Sequence, residues 1–201
     1  MLLPIMIPAV LDRLGSALLA ELHRQQQNSG IGEHVEILAL YDNRRRSTGR
    51  KRQVLLDIAQ GNFVTCLDDD DGIATNYLAK VVAAILQNPA TDVIVFNSLT
   101  SLNNETPFQV ITGLEYENEQ CRKDESGHWV DIHRKPWTWC IWSSRLGKSA
   151  CFPDGYIDDD WYWLRQIIPQ AKTQFRLNEV LHYYQYNSKT SFSNQGKPTC
   201  A

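Results

Sequence analysis

This sequence contains four consecutive aspartates, Asp68, Asp69, Asp70 and Asp71, whose chemistry is the most readily inferred. Adjacent carboxylates repel one another. A hard divalent cation, Mg²⁺ or Mn²⁺, relieves that repulsion when one or two carboxylates and phosphate oxygens bind it. The run follows directly on the apolar residues 63–67. Its place at the end of a predicted strand favours metal or phosphate binding over the ordinary alternative, a solvated acidic turn.

A basic segment precedes the aspartates and complements them. Six positive charges fall within nine residues of a chain whose net charge is −3: Arg44, Arg45, Arg46, Arg50, Lys51 and Arg52. Such a cluster suits a polyanion, most simply a diphosphate. We predict Lys51 and Arg52 as the phosphate ligands, because the helix they open also offers its N-terminal amides. A solvated basic loop is the alternative, and the absence of interleaved aromatic residues argues against nucleic acid.

A second acidic cluster, Asp158, Asp159 and Asp160, precedes Trp161. Capping and the helix dipole explain an acidic residue at a helix start. Three acids exceed what capping needs, so one of them is a candidate catalytic base. Asp42 ends another predicted strand, either as a turn former or as an acceptor for a nucleobase. The five histidines show no metal-ligand spacing, and we retain only His182 as a candidate further metal ligand.

Bulk composition narrows the class of protein. The chain has 201 residues, 43% hydrophobic and 21% charged, which suits one folded domain. Five cysteines without a CxxC pair support neither a disulfide framework nor a zinc ribbon, and favour a reducing compartment. The apolar start of the chain contains two prolines and no basic residue, so we expect a strand there rather than a signal peptide. We expect a cytoplasmic protein with no membrane span and no nucleic-acid partner.

Elements that would position these residues alternate along the first hundred residues. Strands are predicted at 3–9, 35–41, 63–67 and 93–96. Helices are predicted from Leu11 to about residue 27, from the end of the basic loop at Lys51 to Gly61, and from a Thr75 cap to Pro89. This alternation predicts a parallel sheet with helices on both faces. Ligands of such sheets bind at the carboxyl ends of strands. Asp42 and Asp68 both follow such ends, so we expect them to share one site.

The second half of the sequence is less regular. Short strands are predicted near 108–111 and 129–133, and a last strand at 180–186. A helix capped by Asp158 is predicted to run through Trp161, Leu164, Ile167 and Ile168. Residues 137–142 are dense in aromatic side chains, and we expect Trp137, Trp139 and Trp142 to be mostly core. The polar residues after 188 are predicted to form a loose tail.

Five segments, taken in order, resemble glycosyltransferases of family 2 with the GT-A fold. Residues 5–9 resemble the opening strand, and 37–43 the second strand with its base-contacting aspartate. Residues 48–71 resemble the Gly-x-Lys-Arg-Asn helix followed by the Asp-x-Asp strand end. Residues 152–165 resemble the segment whose acidic pair supplies the base, and 180–186 the closing strand. Four positions depart from that pattern: Gln53 replaces asparagine, Asp159 replaces glutamate, residues 9–11 replace Thr-Tyr-Asn, and Asn187 replaces histidine.

The resemblance implies an α/β fold: a single GT-A-like domain over residues 1–201, with a mostly parallel central sheet flanked by helices in a Rossmann-like manner. The first half, at about residues 1–97, would bind the nucleotide sugar. A smaller, irregular portion at about 98–193 would form the acceptor and catalytic half. Residues 194–201 would be a tail.

The resemblance further implies inverting, metal-dependent transfer of a sugar from a nucleoside-diphosphate sugar to a hydroxyl of a glycan or other acceptor. Mn²⁺ or Mg²⁺ would be held by Asp70 and Asp68, with Asp69 and Asp71 as the alternative register. Asp160 would be the base, with Asp159 beside it. The tryptophans at 137–142 could stack on a sugar ring. The predicted donor-binding residues are Pro8, Ala9, Asp42, Lys51, Arg52, Asp68 and Asp69.

Two other classes of function stay open at this point. A metal-dependent nuclease or nucleotidyltransferase also combines clustered carboxylates with basic residues on an α/β sheet, and would bind nucleic acid in a salt-sensitive way. A catalytically inactive relative would keep the fold and bind a nucleotide without turnover.

Overall fold

A computed structural model describes residues 1–13, 15–28, 30–103 and 105–188 of the protein. Leu14, which the sequence places on a helix, and the predicted tail beyond residue 188 lie outside the described residues. The strands are β1 (Leu3–Val10), β2 (Val35–Asp42), β3 (Phe63–Cys66), β4 (Gly72–Ile73), β5 (Val93–Leu102), β6 (Phe108–Thr112), β7 (Gln120–Lys123), β8 (Trp129–Arg134), β9 (Ile141–Ser143) and β10 (Gln174–Tyr186). The helices are α1 (Ala17–Asn28), α2 (Thr48–Ile58), α3 (Tyr77–Gln87), α4 (Ser144–Gly147) and α5 (Asp159–Ile167).

The first three long strands form the parallel part of the sheet. β1 lies between β2 and β3 and runs parallel to both, with Leu3 opposite Val35 and Ile5 opposite Thr65. Because β1 connects to β2 on one side while β3 returns on the other, the strand order reverses between β1 and β3. Ligands of open α/β sheets bind at such a reversal, outside the carboxyl ends of the strands. The chain enters the aspartate run at this point.

The rest of the sheet is mixed. β9 lies antiparallel between β3 and β5, where Trp142 pairs with both Val64 and Val93. β10 runs parallel to β5 along its length, from Gln174 opposite Val93 onward. The predicted α/β class is therefore confirmed, but the strand predicted at 93–96 does not adjoin β3 as a further parallel strand. The intervening β9 has only three residues inside an aromatic-rich segment, too few to show a strand period.

Apolar faces of the helices pack on this sheet as the periodicity predicts. Leu18, Leu19 and Leu22 of α1 are buried. Five residues of α3 that lie at helical spacing are all buried: Tyr77, Leu78, Val81, Val82 and Ile85. Burial of such side chains provides the main favourable free energy of folding. No helix within the described residues is both long enough and apolar enough to cross a bilayer.

Three local predictions are wrong. The helix predicted from Leu11 begins at Ala17, because Gly15 takes a left-handed conformation (φ 82°) that ends a short 3₁₀ turn at Leu11–Arg13. Asn76, rather than Thr75, precedes α3, and its side chain makes no capping hydrogen bond. Asp158 precedes α5 as predicted, but its side chain makes no capping hydrogen bond.

α2 approaches the segment before α5 at close range. The amide of Gly49 donates to the carbonyl oxygen of Gly155 at 3.0 Å, and Ser47 Oγ donates to the carboxylate of Asp154. A Cβ atom at position 49 would overlap the carbonyl oxygen of Pro153 and lie 2.9 Å from Cβ of Asp159. Glycine at position 49 therefore permits the contact between the two segments that carry the basic and acidic clusters.

We expect Gly49→Ala to lower the free energy of unfolding by about 1–3 kcal/mol, the usual cost of forcing an extra group into a packed contact. Urea denaturation measures this change. Gly32→Ala is the matched control, because its Cβ would meet its nearest atoms at an ordinary 3.6 Å. Equal stabilities of the two variants would contradict the close contact.

Candidate functional site

A cleft of about 560 Å³ opens at the carboxyl ends of the parallel strands. The structure brings most of the predicted site residues to its wall: Pro8, Lys51, Arg52, Asp68, Asp69, Asp70, Asp159 and Asp160. Ala9 and Asp42 do not line the cleft and are buried behind it. The basic helix, the aspartate run and the second acidic cluster, far apart in sequence, thus meet in one place. The roles assigned to these residues stay predictions.

The aspartate run forms a turn in which half-exposed and buried side chains alternate. The side chains of Asp68 and Asp70 are 42% and 48% exposed, whereas those of Asp69 and Asp71 are buried. Asp69 accepts hydrogen bonds from the amide of Val10 and from Arg13, at 2.9 and 2.7 Å. These positions favour Asp68 and Asp70, rather than Asp69 and Asp71, as the pair that a ligand would meet.

The exposed pair has the chemistry of a partial metal site. Burial, and next the negative charge of Asp68, raise the pKa of Asp70 to about 6. A cation at this place would relieve the crowding of like charges. Among the described residues, no group of three or more His, Cys, Asp or Glu side chains is arranged to hold a metal. Mg²⁺ often takes only one or two carboxylates and completes its shell with water and substrate phosphates, so the residues present fit such an ion.

Arg13 is a cleft residue that the sequence analysis missed. Its Nη1 atom lies 2.7 Å from Oδ1 of Asp69 and 2.8 Å from Oδ2 of Asp70. It reaches them because Gly15 breaks the predicted helix just after it. In an uninterrupted helix, Arg13 would have been one more polar surface residue. Gly15 was the feature of the sequence that could have indicated the interruption of the helix.

His182 lies beneath the aspartate turn and outside the cleft wall. Its Nδ1 atom is 2.9 Å from the Ser98 hydroxyl, its Nε2 atom is 3.1 Å from Oδ2 of Asp71, and its ring stacks on Trp139. Asp71 in turn accepts the amide of Asp68 at 2.8 Å. The described contacts of His182 therefore support the turn from the core side.

Lys51 and Asp42 form a buried pair beside the cleft. Lys51 Nζ donates to the carbonyl oxygen of Ala9 at 2.8 Å and lies 3.2 Å from Oδ1 of Asp42. Asp42 also accepts the amides of Arg44 and Arg46. Burial opposes ionisation, but these hydrogen bonds and Lys51 hold the pKa of Asp42 below its usual value. Asp42 thus shapes the loop that brings Arg44 and Arg46 to the cleft.

Three amides at the start of α2, those of Gly49, Arg50 and Lys51, form hydrogen bonds within the protein. Gly49 donates to Gly155, Arg50 donates to the Ser47 hydroxyl at 3.0 Å, and Lys51 donates to the Ser47 carbonyl at 3.1 Å. Capping by Ser47 and contact with the 153–155 segment thus already satisfy these three amides, and phosphate binding by the start of α2 stays a prediction.

Arg52 connects the two acidic clusters. Its Nη1 atom donates to Oδ2 of Asp159 and its Nη2 atom to Oδ1 of Asp68, each at 2.7 Å. Burial opposes the positive charge, but the carboxylates, Asp68 first, outweigh it and raise the pKa of Arg52. Burial raises the pKa of Asp159 against the opposing effect of Arg52. One guanidinium thereby fixes the distance between the aspartate turn and the start of α5.

Asp160 and two aromatic rings form the other wall. Asp160 is half-buried, and its Oδ1 atom accepts the amide of Trp161 at 2.7 Å. Trp137 and Trp161 line the cleft and stack with ring centroids 6.2 Å apart and planes 16° apart. Of the three tryptophans in residues 137–142, Trp139 and Trp142 are core residues as expected, and Trp137 reaches the cleft.

Comparison with known proteins identifies the family. The model of Glycosyl transferase family 2 matches residues 19–134, more than half of the chain. No match was found among curated proteins. The structure of S. aureus TarS 1–349 in complex with UDP-GlcNAc is similar, with a TM-score of 0.65 and 14% identity over 99% of this chain. TarS 1–349 in complex with UDP gives a TM-score of 0.61 and 16% identity over 94% of this chain.

The chain spans 62% of the length of each of these TarS structures. At this level of identity the likeness shows the fold, a GT-A arrangement of helices on a mixed sheet. The family match covers α2 and the aspartate turn, which carry Lys51, Arg52 and the aspartates of the cleft wall. The chain belongs to glycosyl transferase family 2.

Proposed function

We propose that the chain transfers a sugar from a nucleoside-diphosphate sugar to an acceptor hydroxyl, with inversion at the anomeric carbon and with Mg²⁺ or Mn²⁺. The observation that carries the proposal is the meeting of the exposed pair Asp68 and Asp70 with Asp160 in one cleft. TarS structures in complex with UDP-GlcNAc and with UDP support a nucleotide-sugar donor. A UDP-sugar is therefore the first donor to try.

The donor side suits a diphosphate. Asp68 and Asp70 would hold the metal ion, which when bound would neutralise charge on the diphosphate. Arg13, Arg44 and Arg46 line the same cleft, together with the predicted phosphate ligands Lys51 and Arg52. Positive groups fixed around a leaving group stabilise the charge that develops on it as its bond breaks. Pro8 and Ala9 lie near the end of β1, beside the predicted nucleoside position, and Asp42 is predicted to contact the base.

The acceptor side supplies the proton acceptor. As the acceptor oxygen forms its bond to the anomeric carbon, the bond from that carbon to the phosphate oxygen breaks. The nucleoside diphosphate leaves with the electron pair, and the hydroxyl proton passes to the carboxylate of Asp160. Attack opposite the leaving group inverts the anomeric centre. Of the pair Asp159 and Asp160, Asp159 is buried against Arg52. Asp160 is therefore the carboxylate suited to contact an acceptor.

We expect Asp160→Asn to lower kcat by about 10²–10⁴-fold, the usual contribution of a general base, while the donor KM changes little. Release of nucleoside diphosphate measures this change. Four nucleotide sugars are tried as donors: UDP-GlcNAc, UDP-glucose, GDP-mannose and dTDP-rhamnose. The assay uses the one that the wild-type protein turns over. Asp57→Asn is the matched control, since Asp57 is exposed on α2 away from the cleft. Wild-type turnover by Asp160→Asn would contradict the assignment of the base.

Asp70→Ala should abolish metal-dependent turnover and leave the melting temperature close to that of the wild type, because Asp70 is half exposed. Turnover with Mn²⁺, turnover with EDTA and thermal unfolding together test this expectation. A variant that keeps wild-type activity would show that the metal is held elsewhere.

Arg52→Lys keeps a positive charge but cannot make both 2.7 Å contacts at once, so Asp68 and Asp159 lose their fixed separation. We expect turnover to fall about a hundredfold, as small misplacements of reacting groups do. Arg50→Lys, an exposed position of the same helix, is the control. Equal activity in the two variants would count against Arg52 as a positioning residue.

A further inference from the structure

Trp137 and Trp161, on the proposed acceptor side of the cleft, leave apolar surface exposed. The packing of the core does not account for this exposure. Trp161 is 47% exposed, and Trp137 beside it is half-buried. The tryptophans that serve the core, Trp139, Trp142 and Trp163, are buried. Exposed apolar surface that is concentrated in a cleft marks a binding site more often than a folding requirement.

Neighbouring groups hold this pair in place. The guanidinium carbon of Arg134 lies 3.9 Å from the centroid of the Trp137 ring, and Arg134 also approaches Glu119 at 3.5 Å. Trp161 stacks on Trp137 and stands on the first turn of α5. A platform fixed in this way loses little conformational entropy when a ligand binds to it.

The platform adjoins the proposed base. Trp161 directly follows Asp160, its amide donates to the Asp160 carboxylate at 2.7 Å, and both side chains line the cleft. A molecule whose hydroxyl gives its proton to Asp160 must therefore pass beside the Trp161 ring. The aspartate turn and the start of α2 carry the donor residues, so the rings remain for the acceptor.

We propose that Trp161, supported by Trp137, is the acceptor subsite, and that the acceptor is a saccharide whose pyranose ring stacks on the indole. This inference rests on the proposed function. A pyranose has an apolar face of C–H groups, which suits an aromatic face, and an edge of hydroxyls, which needs polar partners. Arg134 lies over the Trp137 ring, and Asp158 and Gln185 line the same cleft, so polar partners are at hand. An alkyl alcohol would leave these polar groups without partners, and a serine side chain presents no ring to stack.

The test compares transfer to sugars with hydrolysis of the donor by water. The acceptor probes are the methyl pyranosides of glucose, galactose and N-acetylglucosamine, with n-octanol as the non-sugar alcohol. Trp161→Ala should raise KM for the accepted pyranoside about tenfold, while hydrolysis of the donor stays within twofold of wild type. Trp161→Phe should restore most of the loss, because the aromatic face is kept. Tyr162→Ala is the matched control: Tyr162 is the next residue of α5, is 43% exposed and does not line the cleft.

Three results would overturn the inference, and they can be told apart. An unchanged KM for the pyranoside in Trp161→Ala would remove the stacking role. Transfer to n-octanol but to none of the pyranosides, with donor hydrolysis intact, would remove the saccharide acceptor and leave the proposed function standing. Failure of the wild-type protein to turn over any of the four nucleotide sugars, either by transfer to an acceptor probe or by hydrolysis, would overturn the proposed function and this inference with it.

Discussion

The buried guanidinium of Arg52 is the interaction on which both walls of the cleft depend. It joins Asp68, at the exit of a parallel strand, to Asp159, at the start of α5, through two hydrogen bonds of 2.7 Å. A buried arginine is tolerated only when carboxylates compensate its charge, and each carboxylate here in turn relies on Arg52. The separation of the two acidic clusters is therefore set by the width of one planar side chain.

The neighbours of Arg52 on α2 make that contact rigid. Gly49 lets the helix touch the 153–155 segment, and the Gln53 side chain accepts the amide of Phe152 at 2.8 Å. These contacts fasten the helix to the chain before α5 on both sides of Arg52. Gln53, which replaces the asparagine of the family pattern, thus still has a bonding role. Preorganised groups of this kind stabilise developing charge without having to move during the reaction.

The sequence was sufficient for the features that depend on local pattern. Apolar runs located β1, β2 and β3, and the rule that ligands bind at strand ends placed the aspartate run in the cleft. Features that depend on distant contacts were not predictable. β9 is too short to show a period, Arg13 reaches the cleft through a break at Gly15, and Trp161 faces outward because Trp163 fills the core position of α5. The bonding of the Gly49 amide was not predictable because its partner, Gly155, lies far along the sequence.

The central claim is that this cleft binds a nucleoside diphosphate through a metal ion. Thermal unfolding of the protein with UDP, GDP, CDP and dTDP, each with and without Mn²⁺, tests it most directly, because a ligand that binds only the folded state raises the melting temperature. The account predicts a clear rise with at least one nucleoside diphosphate, and loss of that rise when Mn²⁺ is omitted. An unchanged melting temperature with all four at millimolar concentration, or a rise that does not depend on the metal, would contradict it.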